Sequence, residues 1–130
     1  MRFNEIFVVD DDKVHHFMIK KLLQNNQINV NPSFFENGFE ALNGLKSLHN
    51  SGENLPDMIL LDINMPVLDG WQFLEEFKSI KSELSKEIII HIISSSEDTE
   101  DFSKAEFFKE EINNYYTKPV TGALIKDIFQ

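Results

Sequence analysis

"LLDINMPVLDGW", residues 60–71, sets an acid at the end of an apolar run and follows it at once with a turn. An apolar run of this kind belongs in a core, where an unpaired carboxylate is expensive. Asp62 therefore needs partners, and they must come from elsewhere in the chain. Working outward, four more short segments are apolar and rich in β-branched or aromatic residues: 6–9 "IFVV", 30–35 "VNPSFF", 88–93 "IIIHII" and 115–117 "YYT". With 58–61 "MILL" they give five predicted strands. Helical spacing fills the intervals. Val14, Phe17, Met18 and Leu22 form one apolar stripe and Ala41, Leu42, Leu45 and Leu48 a second. Trp71, Leu74 and Phe77 form a third, Phe102, Ala105, Phe108 and Ile112 a fourth, and a short last helix spans 121–129 with Thr121 as its cap.

Alternation of strand and helix predicts an α/β fold, (βα)5, with a doubly wound parallel five-stranded sheet covered on both faces. Pro32 in the second strand suits an edge. The length of 130 residues fits one domain, 1–130, and the chain carries no recognisable output domain. A start at Met and the lack of a linker favour a stand-alone domain. Without cysteine there is no disulfide, which favours a reducing compartment. No signal peptide or membrane-length apolar run is visible, so the expected location is cytoplasmic. A net charge of −10 with no basic patch argues against direct binding to nucleic acid.

In doubly wound sheets, ligands bind beyond the carboxyl ends of the strands. The first strand ends in Asp10, Asp11 and Asp12, the third in Asp62, the fourth in Ser94 and the fifth in Lys118. Adjacent strands lie about 5 Å apart, so these groups can converge. Two carboxylates ~4 Å apart repel by roughly 4 kcal/mol at an effective dielectric of 20. A hard cation held by oxygens would relieve that repulsion; Mg2+ is the first choice and Mn2+ the alternative. An ionised Asp needs no general base to attack phosphorus, so the set suits phosphoryl transfer to a carboxylate. Each acid alone also has a plainer use. Asp12 suits a helix cap, and Asp69 before Gly70 suits turn and cap chemistry. His15 and His16 read as surface residues, and His91 as a core histidine.

The strings "VVDDD" (8–12), "LLDINMPVLDG" (60–70), "IISSS" (92–96) and "YYTKPV" (115–120) closely resemble the receiver domain of bacterial two-component response regulators, the CheY-like family. The resemblance implies strand order 2-1-3-4-5 and a phosphorelay role. Asp62 would be the phosphoacceptor. Asp10, Asp11, Asp62 and the backbone carbonyl of Asn64 would hold the metal, with Asp10 acting largely through water. Lys118 would contact the phosphoryl group and precede a cis bond to Pro119. Ser94 and Tyr115 would be the switch pair, and Asn64 and Ser96 the positions that tune dephosphorylation. Pro66 and Gly70 belong to the turn after the acceptor. The implied phosphodonor is a sensor histidine kinase or histidine phosphotransfer protein, docking near the first helix. The output is an unspecified downstream protein, reached as a monomer or a phosphorylation-linked dimer. The domain would not be an enzyme in its own right.

Two other readings fit part of the same residues. "DDDKV" also matches the D-x-D-x-[TV] motif of haloacid-dehalogenase-type phosphatases, with Asp10 as nucleophile and Asp12 as general acid. That reading leaves "DINMPVLDG" unused and lacks a second acidic pair. A degenerate receiver, binding partners without phosphorylation, is the other.

Overall fold

Along the described residues, 3–96 and 98–130, strands and helices alternate throughout. They are β1 (Glu5–Val9), α1 (Lys13–Asn25), β2 (Asn31–Phe35), α2 (Gly38–Ser51) and β3 (Met58–Leu61), then α3 (Gly70–Ile80), β4 (Ile89–Ser94), α4 (Thr99–Phe107), β5 (Asn114–Thr117) and α5 (Gly122–Ile128). In this computed structural model all pairings are parallel and the sheet order is β2-β1-β3-β4-β5. Pro32 sits on the edge strand, where its missing N–H costs no ladder bond.

Side chains of successive strand residues point to opposite faces, and the two cores follow from that. Phe7, Val9, Ile59, Leu61, Ile90 and Ile92 pack with α2 and α3 residues such as Leu45, Phe73 and Leu74. Ile6, Val8, Met58, Leu60 and Ile93 pack with Ile19 and Leu23 of α1 and Ile125 and Ile128 of α5. β1 and β3 are covered on both sides, which is why their sequences run apolar without a break.

The caps fall where short polar residues precede each helix. Asp12 accepts the Val14 N–H at 2.9 Å, and Thr121 accepts the Leu124 N–H at 3.1 Å. Asp69 and Gln72 form a reciprocal capping box at the start of α3.

Two helix faces differ from the sequence expectation. In α1 the buried residues are His15, Ile19 and Leu23, while Val14 and Phe17 are 68% and 60% exposed. The true stripe contains a polar residue, so a count of apolar side chains selects the neighbouring face, one residue out of phase. His15 is correspondingly a buried residue, not a surface one, and His16 is half-buried with its ring 5.0 Å from Phe34. In α4 no described residue is buried, and Phe102 is 44% exposed. The helix ends at Phe107, so Phe108 and Ile112 pack from the turns beyond it. His91 is a core histidine as expected: it is buried on β4, and the Asn114 amide lies 3.4 Å from its Nδ1.

Candidate phosphoacceptor site

Parallel register sets the strand ends level. Val9 lies opposite Leu61, and Leu61 opposite Ile92, so Asp10 and Asp62 leave adjacent strands at the same height. The ladder runs one step further, with the Asp62 N–H donating to Val9 C=O and the Lys118 N–H to Ser94 C=O, both at 2.8 Å. One ligand oxygen from each of Asp10, Asp11 and Asp62 can be chosen so that all three lie within 4.8 Å of one another. Asp10 and Asp62 are buried and Asp11 is exposed.

Among the described residues, Lys118 is the lysine that pairs with this cluster. Its Nζ donates to Asp10 Oδ2 at 2.9 Å and stands 3.8 Å from Asp62 Oδ2. The Lys118–Pro119 peptide bond that follows it is cis. Asp10 also takes the Asp12 N–H on Oδ1 at 2.9 Å and the His15 Nδ1 on Oδ2 at 2.6 Å.

Those contacts separate the two buried acids. Burial alone would raise Asp10, but His15, the Asp12 amide and Lys118 outweigh it and hold its pKa at about 2. Asp62 goes the other way. Burial, and then the charge of Asp10, push it up to about 6, against the opposing pull of Lys118 and the Ile63 amide. Three carboxylates facing one lysine leave an excess of negative charge, and every donor in the set is oxygen. That chemistry suits a hard divalent cation.

The turn after Asp62 explains two residues of the opening string. The Gly70 N–H donates to Ile63 C=O at 2.8 Å, and a Cβ on Gly70 would stand 2.5 Å from the Asp62 carbonyl oxygen. Glycine is required there because the start of α3 lies directly against the backbone that carries the acid. Val67, 77% exposed at the tip, has φ +70°, which a β-branched residue adopts only under strain. Pro66 and Asn64 are exposed in the same loop.

Ser94 is fully buried at the end of β4, and its Oγ accepts the Ser96 N–H at 3.1 Å. Tyr115 is half-buried; its hydroxyl donates to the Ser96 carbonyl at 3.0 Å and its ring lies 5.0 Å from Phe102. Burial raises the Tyr115 pKa, so the phenol keeps the proton it donates. The Ser96 hydroxyl donates to Asp101 Oδ2 at 2.5 Å, and the Trp71 indole donates to Asp101 Oδ1 at 3.0 Å. Asp101 thus ties α3 and α4 to the loop after β4.

The structure brings together Asp10, Asp11, Asp62 and Lys118 and puts Ser94 and Tyr115 on the neighbouring strands. It assigns Asp12 to capping, which removes the general acid that the phosphatase reading needs. Sequence reasoning missed His15 and the Trp71–Asp101 link. The spacing of His15 with Ile19 and Leu23 was a usable signal for the first; nothing in the sequence marks the second.

A cleft of about 710 Å3 is lined by residues such as Phe77, Leu84, Lys86 and Ile88 and includes none of Asp10, Asp11 and Asp62. A cavity of about 10 Å3 adjoins Asp10, His15 and Asp62. The candidate site is thus a shallow sheet edge, not a small-molecule pocket.

The model of the response regulator receiver domain matches residues 6–130. The chain belongs to the response regulator receiver domain family. Chemotaxis protein CheY of Bacillus subtilis is 35% identical over 80 residues, covering 62% of this chain and 61% of its own length. The probable methanogenesis regulatory protein FilR2 of Methanothrix harundinacea is 27% identical over 116 residues, 89% of this chain and 72% of that protein. Other relatives are much longer: the chain spans 7% of hybrid signal transduction histidine kinase E of Dictyostelium discoideum and 14% of sensor histidine kinase CheAY of Helicobacter pylori. Among solved structures, a two-component response regulator from Cytophaga hutchinsonii superposes with TM-score 0.84 at 27% identity, covering 99% of this chain and 96% of that one. The Mn2+-bound form of response regulator Rcp1 superposes with TM-score 0.78 at 25% identity, covering 96% and 88%.

Receiver domains are regulatory modules of two-component signalling, and this chain has their fold. Among the described residues no helix is long and apolar enough to cross a membrane.

Proposed function

We propose that this domain accepts a phosphoryl group on Asp62 from a phosphohistidine protein, in a reaction that requires a divalent cation, and converts it into a change of binding surface. The observation that carries the reading is the pairing of Asp62 with Lys118 Nζ at 3.8 Å beside the carboxylates of Asp10 and Asp11.

Near neutral pH an acid with a pKa of about 6 is mostly ionised. Asp62 can attack phosphorus without a general base. The new Asp62 O–P bond forms as the P–N bond to the donor imidazole breaks, and the imidazole nitrogen leaves with the electron pair and takes a proton from solvent. Asp10, Asp11, Asp62 and the Asn64 carbonyl would hold Mg2+, or Mn2+ in its place. When bound, that cation supplies positive charge to the phosphoryl oxygens. Lys118, just past the end of β5, supplies a further charge-assisted hydrogen bond.

The shallowness of the site supports a macromolecular donor, a sensor histidine kinase or histidine phosphotransfer protein. Exposed Val14 and Phe17 on α1, close in sequence to exposed Asp11, offer it apolar contact area. For the output, Ser94 would exchange the Ser96 N–H for a phosphoryl oxygen. Tyr115 would then leave the Ser96 carbonyl and turn inward, shifting α4, β5 and α5 toward a second packing. Asn64 and Ser96 would set the lifetime of the phosphoryl group. Ser96 bears on it through the loop, since its hydroxyl is engaged by Asp101.

The reading is tested by incubating the protein with acetyl phosphate, with and without Mg2+, and weighing it intact. The expected result is one phosphoryl group gained by the parent only with Mg2+, and none by Asp62→Asn. No gain with small donors or a histidine kinase would leave the domain as a protein-binding module that is not phosphorylated.

A further inference from the structure

The buried stripe of α1 consists of His15, Ile19 and Leu23. For folding alone, an aliphatic residue would fill the first position better. The His15 Nε2 is buried without a hydrogen-bond partner among the described residues, an arrangement that disfavours the folded state. What histidine supplies there is its other nitrogen. His15 is 7% exposed, and its Nδ1 lies 2.6 Å from Asp10 Oδ2. An ionised carboxylate only accepts, so the Nδ1 carries the hydrogen in this bond.

The bond decides what Asp10 has left to offer. A carboxylate has about four lone-pair positions. On Asp10, Oδ2 takes two donors, His15 and Lys118, and Oδ1 takes the Asp12 N–H. One position, on Oδ1, remains. Without His15, the carboxylate would be held by Lys118 on Oδ2 and the Asp12 N–H on Oδ1, one tether fewer, and Oδ2 would have a free position with which to compete for the cation.

We propose that His15 is a positioning residue of the cation site: its Nδ1 clamps Asp10 Oδ2 so that Oδ1 is presented to the cation or its water. The inference rests on the reading that Asp10 serves a divalent cation. It assigns His15 no contact with the phosphoryl group.

The experiment compares the parent with His15→Leu and His15→Asn. Leu fills the stripe without a donor, whereas the Asn side-chain amide can place a donor near the Nδ1 position. Mg2+ affinity is measured by calorimetry and the melting temperature in the presence of EDTA. His15→Leu is expected to weaken Mg2+ binding by about tenfold, the low end of the range for groups that hydrogen-bond a metal ligand. Its melting temperature should equal or exceed the parent's, and His15→Asn should recover most of the affinity. A purely structural histidine predicts the reverse: a lower melting temperature and unchanged affinity. Proton-detected nitrogen NMR of the parent covers the case in which the Leu variant does not fold. It should show a slowly exchanging His15 Nδ1–H whose shift moves with Mg2+, and its absence would overturn the proposal. Mg2+ binding by the parent that persists undiminished in His15→Leu would bring down this inference alone. A parent that binds no Mg2+ would bring down the cation site itself and the inference with it.

Discussion

Replacing Asp62 with Asn should stabilise the protein in the absence of a divalent cation, and the gain should depend on pH in a defined way. In the folded state Asp62 has a pKa of about 6, raised from 3.8 by burial and by Asp10. The folded protein therefore binds this proton more tightly than the unfolded chain does. Asp62 makes no difference to stability while it is protonated in both states. As pH rises from about 4 to about 6 the unfolded chain releases the proton and the folded one does not, so stability falls over that window. Each pH unit between the two ionisations is worth about 1.4 kcal/mol. The raised Asp62 pKa thus lowers the stability of the cation-free fold by about 3 kcal/mol at pH ~7.5, where the folded group is ionised, but by only about 1 kcal/mol at pH ~4.5, where it is still protonated. Asn is close in size, stays neutral and escapes the cost. Urea unfolding of parent and Asp62→Asn in EDTA, at matched pH values, should give a difference that grows across the window and levels off above it. Asp10, held at about 2, stays ionised in the folded protein across this window, and comparison at matched pH removes the contribution of acids remote from the site, such as Asp57. A difference that is flat with pH, or a less stable Asn variant at neutral pH, would refute the claim that an unneutralised charge is held at this sheet edge.

Three further outcomes follow from the same geometry. Gly70→Ala would drive a Cβ to within 2.5 Å of the Asp62 carbonyl oxygen, so something must shift; an unfolding experiment should show a loss above about 2 kcal/mol. Val67→Gly should raise stability by about 1 kcal/mol by relieving the positive φ; urea midpoints read it directly, and a loss would show that the loop is unstrained. Lys118→Gln should slow phosphorylation by acetyl phosphate about 100-fold, the low end for losing one oxyanion donor. NMR titration should also place Asp62 above its parent value, because Lys118 is a group that lowers it.

The fold was legible wherever one physical demand dominated a segment. Strands β1 and β3 are covered on both faces, so "IFVV" and "MILL" could be little else, and acids directly after them had to stand at the sheet's edge. The caps at Asp12, Asp69 and Thr121 were legible because capping uses residues only two or three positions apart. Contacts across the fold were not. Trp71 and Asp101 are 30 residues apart, and neither departs from what a plain amphipathic helix would contain. His15 was misread for a related reason: a polar side chain on a buried stripe makes the wrong face look more apolar. Val67 carries no sequence sign of its strain, since the positive φ arises from the turn between Asp62 and the α3 cap.

The central claim is that Asp62, and no other acid, becomes the phosphorylated residue. The most direct measurement is to treat the protein with a phosphodonor and Mg2+, reduce the acyl phosphate with borohydride, and locate the resulting homoserine by peptide mass mapping. The account predicts homoserine at position 62 and unmodified Asp10, Asp11 and Asp12. Homoserine at position 10, or at no position under conditions that label other receivers, would contradict it.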